Sequence, residues 1–393
     1  MTAREVYLDN SATTRTDPRV LEAMAPYFSE KYGNPNSLHK YGREARAAVD
    51  AARAQTAALI NAEPTDVVFT GAGSEADNLA VKGAAWALRE KGKGAHIITS
   101  AIEHHAALSS VKWLGRMGFE YTILPVDGRG MVSPDALEAA IRPDTTLVTI
   151  MFANNEIGTI QPIKELGEVC RRHGVMFHSD AVQAAGHIKI DVKELPVDML
   201  TMAAHKMYGP KGIGALYVRR GIKLIPTLHG GGQEFGLRSG TENVPAIVGF
   251  GKAAEIAKAR LDAGADKKLA ALRDYFIEGV LSKIPETRLT GAAGDDRLPF
   301  HTSFVVKYIE GEGMLLLLDA AGIYASSGSA CTSGSLEPSY VLLATGLDHA
   351  TAHGSLRLTM SHETTKEDID YVLEKFPPIV EKLRAMSPFY NKK

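Results

Sequence analysis

The chain has 393 residues, 45% of them apolar and 23% charged, and its 44 Lys and Arg against 46 Asp and Glu leave a formal charge of −2. That balance excludes a nucleic-acid stripe or a polybasic membrane patch as the basis of function, and the composition excludes disorder and a collagen-like repeat. Length alone predicts roughly two domains of about 200 residues. No run approaches the ~18 apolar residues of a membrane helix. The opening MTAREVYLDN is charged where a signal peptide needs an apolar stretch, so a cytoplasmic location is expected. Two cysteines, Cys170 and Cys331, cannot build a disulfide framework, which fits a reducing compartment and leaves each to be judged singly.

From about Val67 to Val218 the short β-rich runs VVFT, HIITS, YTILPV, TLVTIMF, VMFHSD, DMLTMAA and GALYV alternate with helix-length amphipathic segments. This spacing predicts repeated βαβ units on a mostly parallel sheet, a three-layer α/β core. Ser133-Pro134 is a helix start, with Ser as N-cap and Pro in the first turn. The Gly-rich stretch HGGGQEFGLRSGTEN (229–243) gives way to a long helical run, about Pro245 to Lys283, that reads as a connector. Strands near Phe304 to Tyr308 and Leu356 to Met360, and a helix opening at the capping-box pattern Thr364-x-x-Glu367, predict a smaller α+β domain.

Several segments carry chemistry. Gly71-Ala-Gly73-Ser74-Glu75-Ala76 follows the strand VVFT and opens a helix, so free N–H groups and the helix dipole would converge on an anion, most simply a phosphate. A dinucleotide is disfavoured, because the acidic residue about 20 positions on is Glu90, inside the helix; a plain strand-to-helix turn is the plainer alternative. His178-Ser-Asp180-Ala-Val-Gln183 ends an apolar strand, where open α/β sheets place ligands, and an Asp there can hold a cationic ring nitrogen. A metal at His178 and Asp180 is not expected, since no second His/Cys pair stands at suitable spacing, and Cys170 reads as a small core residue. Lys206, between His205 and a Gly/Pro turn after DMLTMA, is either a solvated loop lysine or a desolvated, nucleophilic amine. Together, the phosphate loop, the strand-end Asp and the Lys are the parts of a pyridoxal phosphate site, with a Schiff-base Lys and an acid for the pyridinium. Cys331 lies in SSGSACTSGS without apolar neighbours, which suggests chemistry rather than packing. Arg357, in the strand pattern SLRLTM, needs a carboxylate, from a substrate or from a structural ion pair.

The segments YLDNSATT (7–14), YGNPNSLHKYGREAR (32–46), NNEIG (154–158), HSDAVQ (178–183), HKMYGPKG (205–212), RSGTEN (238–243) and SSGSACTSGSLEPS (326–339) resemble, in order and over nearly the whole chain, the class V aminotransferase-fold cysteine desulfurases that supply sulfur for iron–sulfur clusters. The resemblance implies a pyridoxal phosphate-dependent transferase fold of the aspartate aminotransferase type. A large α/β domain would span 15–264, with 1–14 and 265–393 forming a small α+β domain that carries the Cys loop. It implies that Lys206 binds the cofactor covalently and moves a proton between the substrate Cα and cofactor C4′, Asp180 pairs with the pyridine nitrogen, His104 stacks on the ring and Gln183 reaches O3′. Gly73, Ser74 and His205 would hold the phosphate, with Thr241 reaching it from the second subunit of a homodimer. Asn155 and Arg357 would orient the carboxylate of L-cysteine. Cys331 would take the sulfur as a persulfide, release alanine, and pass the sulfur to an iron–sulfur scaffold or another acceptor by moving its loop. The long Cys loop resembles the housekeeping and nitrogen-fixation branch. Ala203 stands where the family commonly has a Ser and Ser74 where it has a Thr, and the tail after SPFYNKK is short. The alternatives are a selenocysteine lyase, a cysteine sulfinate desulfinase, or a protein that keeps the fold and only delivers sulfur.

Overall fold

The structure is a computed structural model describing residues 4–328 and 337–390. Its strands are β1 (Val6–Tyr7), β2 (Val67–Thr70), β3 (His96–Ser100), β4 (Glu120–Leu124), β5 (Thr145–Thr149), β6 (Met176–Asp180), β7 (Met199–Ala203), β8 (Gly214–Val218), β9 (Thr287–Leu289), β10 (His301–Val306), β11 (Ile323–Tyr324) and β12 (Ser355–Thr359). Seven of them form one sheet in the order β2-β8-β7-β6-β5-β3-β4. All its pairs are parallel except those of β8, which runs antiparallel to β2 and β7. The inner strands β3, β5, β7 and β8 are buried along their whole length, and β6 along all but its first residue. That is why they read as apolar runs rather than alternating ones: helices cover both faces of a parallel sheet.

From β3 the chain moves outward to the edge strand β4, whereas from β5 it proceeds the other way, through β6 to β7. The loops leaving β3 and β5 therefore diverge and leave a crevice at the carboxyl ends of the strands. His104 follows β3 and Asn155 follows β5.

A second sheet, β12-β10-β9, is antiparallel, with Ser303 opposite Arg357. The chain's first strand joins late elements, Val6 pairing with Ile323 and Asp9 bridging to Thr359. One apolar cluster runs through both parts, from Val49 and Ile98 to Phe304, Leu358 and Phe376.

Three details differ from the sequence reading. Among the described residues, no α-helix separates β6 from β7 or β7 from β8, and β7 and β8 pair antiparallel, so the βαβ alternation expected up to Val218 stops at β6. The helical run after 244 is two helices, Val244–Asp262 and Ala265–Lys283, interrupted where Gly264 adopts φ 72°, a left-handed conformation glycine takes without penalty. The capping box of the last helix, Lys366–Met386, is Thr365 with Asp368, each bonding the other's backbone N–H, while Thr364 Oγ1 accepts from Ser361 instead. Ser133 caps Pro134–Ala140 as expected. Cys170 is a core residue of helix Ile163–His173, its thiol pushed up to about 12 mainly by burial.

Candidate active site

The crevice contains a cavity of about 270 Å³ at the strand ends. Its lining includes Gly73, Ser74, His104, Asn155, Asp180, Gln183, His205, Lys206 and Arg357, nine of the eleven site residues expected from the sequence. Thr241 lies on an exposed loop and is not among the lining residues of this single chain. Cys331 falls outside the described residues.

Lys206 ends a 3-10 turn, Ala204–Lys206, directly after β7. Its Nζ donates to the carbonyl oxygens of Ser11 and Ala12, the latter at 2.8 Å. The turn is fixed from two sides. His187 Nε2 lies 2.7 Å from the Lys206 carbonyl, and Tyr208, at φ 65°, gives its N–H to Thr14 Oγ1 at 2.8 Å. A non-glycine residue in that region is strained, and its surroundings must hold it there.

Asp180, the last residue of β6, accepts from Val182 N–H at 2.9 Å and is 5% exposed. Burial pushes its pKa up, while His104, Lys206 and the Val182 hydrogen bond oppose that shift. His104 caps helix His105–Arg116 through Nδ1, which accepts from Ala106 N–H at 3.1 Å. Nδ1 thus carries no proton, so the neutral ring has its N–H at Nε2. Desolvation is the main cause holding the His104 pKa down, with Lys206 and His105 adding to it. His205 is likewise held down at about 4 by burial, then by Lys206 and Lys211. Gln183 Nε2 donates to Ser11 O at 3.0 Å.

Helix Gly73–Glu90 starts without a side-chain cap, whereas Ser133, Asn243 and Thr365 cap theirs. Gly73 and Ser74 at its start border the cavity, no side chain among the described residues caps them, and negative charge is favoured there. A Cβ on Gly73 would come within 3.0 Å of Val182 Cγ2 and 3.3 Å of Ala203 Cβ, so a side chain at 73 would fill the cradle.

Arg357 combines both readings of the sequence. Its Nη2 pairs with Asp9 at 2.9 Å and its Nη1 donates to Asn155 O at 2.9 Å, yet it borders the cavity and its buried Nε has no acceptor. His178 is not placed as a metal ligand: its two ring nitrogens meet Thr149 Oγ1 at 2.8 Å and Thr201 Oγ1 at 3.0 Å. The sequence reading did not single out Asp9, Asp77, Glu103 or the Ser11 and Ala12 carbonyls. Asp77 left a signal, as a lone charge in the buried stripe Ala76, Leu79, Ala80 and Ala84 of its helix.

An amine, a buried carboxylate, an imidazole and an uncapped helix start on one cavity, at the switch point of a doubly covered, mostly parallel sheet, mark the pyridoxal phosphate-type transferase fold. The chain belongs to the aminotransferase class-V family, whose model matches residues 6–372. Within that family it is similar to cysteine desulfurases. It is 55% identical to cysteine desulfurase IscS of Methanosarcina thermophila over 99% of this chain and 95% of that one, and 51% identical to the enzyme of Dictyoglomus turgidum over 98% and 97%. A solved NifS-like protein superposes with a TM-score of 0.90 at 39% identity, covering 97% of this chain and 100% of that one. SspA in complex with cysteine superposes at 0.80 with 36% identity, covering 92% and 100%.

Proposed function

We propose that this chain is a pyridoxal phosphate-dependent cysteine desulfurase that converts L-cysteine to L-alanine and takes the sulfur as a persulfide on Cys331. The observation that carries this reading is the convergence of Lys206 Nζ, the Asp180 carboxyl and the uncapped start of helix Gly73–Glu90 on one cavity. These groups fit the cofactor part by part. Lys206 would be the amine for its aldehyde, Asp180 the acid for its ring nitrogen and His104 the ring beside it. Gln183 would answer O3′, while Gly73, Ser74 and His205 would hold the phosphate. Pyridoxal phosphate supplies, when bound, a sink for the electron pair left at the substrate Cα.

The chain's own residues do the rest. Arg357 offers guanidinium N–H groups to the substrate carboxylate, with Asn155 beside it, while Asp9 holds the guanidinium in place. Lys206 takes the proton from Cα and returns it, its amine aimed by the Ser11 and Ala12 carbonyls. His104, neutral with its proton on Nε2, offers that N–H as a hydrogen-bond donor beside the substrate site. Cys331 attacks sulfur as a thiolate. The segments on either side of it are tied beside the cavity, since Ser326 forms a backbone bridge with Arg357 and Ser339 Oγ donates to Glu156 at 2.5 Å.

The same reading includes a homodimer in which Thr241 completes the partner's phosphate site. In support, Phe28, Tyr32, Leu38, Tyr41 and Phe235 are exposed, and Asn36 and Arg46 bind Glu242 next to Thr241. Exposed apolar groups of that size mark an interaction face. The chain divides into 15–264 and 1–14 with 265–393, a division supported by the helix break at Gly264 and by the pairing of Val6 with Ile323. The sulfur goes to an iron–sulfur scaffold or another acceptor in the cytoplasm. No helix among the described residues is long and apolar enough to cross a membrane.

Incubating the protein with pyridoxal phosphate, L-cysteine and a thiol reductant should release alanine and sulfide in equal amounts. Cys331→Ser should bind cysteine and release little alanine. Full turnover by that variant would favour a selenocysteine lyase or sulfinate desulfinase, and no alanine from the unaltered chain would refute the assignment.

A further inference from the structure

Behind Asp180 the structure holds a second acid that this reaction does not use. Asp77 stands on helix Gly73–Glu90, is 1% exposed and borders the cavity. Carboxyl oxygens of Asp77 and Asp180 and a ring nitrogen of His104 lie within 4.8 Å of one another. Two carboxylates so close and so buried cannot both ionise cheaply.

Among the described residues, the only group at ion-pair distance from Asp77 is His178, with Nε2 3.6 Å from Oδ1. His178 stays neutral, because burial holds its pKa down at about 3. Among the described residues, none donates a hydrogen bond to Asp77 Oδ1. From the loop before helix His105–Arg116, Glu103 faces the pair and is pushed up to about 8, chiefly by burial, so it too keeps its proton at neutral pH. Lys206 acts on Asp180 rather than on Asp77, and burial followed by the Asp180 charge raises the Asp77 pKa well above the usual range.

We propose that Asp77 is a positioning residue for Asp180: it stays protonated and gives its O–H to the Asp180 carboxylate, so that the pair carries one negative charge, held where a pyridinium nitrogen binds. The inference rests on the reading of the cavity as a pyridoxal phosphate site. A directed chain follows, with the Thr149 O–H donating to His178 Nδ1, His178 Nε2–H to Thr201 Oγ1, and the Thr201 O–H to Asp77. Each member then donates once, and β5, β6 and β7 all contribute to fixing the charge on Asp180. An unsupported buried Asp180 would instead take up the proton itself and lose the ring nitrogen as a partner.

The test is pyridoxal phosphate affinity by equilibrium dialysis, with the visible absorbance of the bound cofactor recorded between about pH 6 and pH 9. Asp77→Asn keeps a neutral donor and should bind within about threefold of the unaltered chain, with the same spectrum. Asp77→Leu removes the donor and should bind about ten- to a hundredfold more weakly, the range of one hydrogen bond to a charged group. That gap should narrow as pH rises and Asp180 regains its charge. Asp77→Ala takes the place of Asp77→Leu should leucine disturb the fold. Loss of tenfold or more in Asp77→Asn would show that Asp77 acts as an anion and would overturn the proposal, as would unaltered affinity without the donor. Failure of the unaltered chain to take up the cofactor would refute the site reading and this inference with it, whereas normal uptake with indifferent Asp77 variants would refute the inference alone.

Discussion

Two groups of buried charge lie within this chain, and they are built on opposite plans. Arg53 and Glu234 meet through two contacts of 2.7 Å; Glu234 also accepts from Phe69 N–H at 2.7 Å, and Arg53 donates to Val67 O at 2.6 Å. Both carboxylate oxygens and both terminal guanidinium nitrogens there have partners, and the pair locks helix Lys40–Leu59 to β2 and to the turn at Glu234. Around the cavity, Asp77, Glu103 and Asp180 are as deeply buried, but without such partners: Asp77 Oδ1 and Glu103 Oε2 receive no hydrogen bond from any described residue, and all three pKa values are pushed up by desolvation. A saturated charge holds the fold; an unsaturated one is kept for a ligand, and the protein tolerates its cost.

This contrast can be broken from either side. Glu234→Ala should cost about 3–5 kcal/mol, because it strands the buried Arg53, while cofactor affinity per folded molecule stays the same. Urea unfolding and equilibrium dialysis would separate the two effects. Arg357→Ala should raise KM for cysteine roughly ten- to a hundredfold, the loss of a charge-assisted contact, with lysine a poor rescue. Unchanged KM in a folded variant would assign Arg357 wholly to Asp9.

Glu103 gives the pH version of the same argument. Its folded pKa, about 8, lies above the ordinary 4.5, so the native state takes up a proton that the unfolded chain releases. Its contribution to stability is complete below about 4.5 and is lost as pH rises towards 8, at no more than about 1.4 kcal/mol per pH unit. Glu103→Gln should flatten that decline in the urea midpoint, and an unaltered slope would show that Glu103 is ionised in the native state. The smallest effect belongs to Ala203, whose Cβ lies 3.3 Å from where a Gly73 side chain would begin. Ala203→Ser adds a donor beside the anion cradle and should tighten pyridoxal phosphate retention about two- to tenfold. Dialysis in a Lys206→Ala background would detect it, and equal affinity would mean the hydroxyl finds no phosphate.

Parts of this contrast were legible in the sequence and parts were not. VVFT, HIITS and GALYV are strands to the residue, because fully buried strands between Gly, Pro and polar turns announce both ends. Lys206 and Asp180 were legible for the same reason, since each closes or follows such a strand, whereas His104 came only from the family resemblance. The break at Gly264 and the cap at Thr365 were not. A glycine within an Ala-rich run is tolerated as often as it breaks a helix, and Thr364 and Thr365 both have an acid three residues on. Asp9 was illegible because its partner stands 348 positions away, and Ser11 and Ala12 because they contribute carbonyls, which every residue has.

That distance also governs how the molecule is made. Asp9 is held by Arg357 and Asn10 by Thr359, so the segment that aims Lys206 is anchored to β12, among the final strands to leave the ribosome. At about 5–20 residues per second, residue 9 waits on the order of 20 to 70 s for its partner. A nascent chain can build the seven-stranded sheet and expose Lys206 well before Ser11 and Ala12 are fixed against it. The cavity is therefore completed only once β12 is in place, and a chain truncated before β12 would lack the anchor of the segment whose Ser11 and Ala12 carbonyls hold the Lys206 amine.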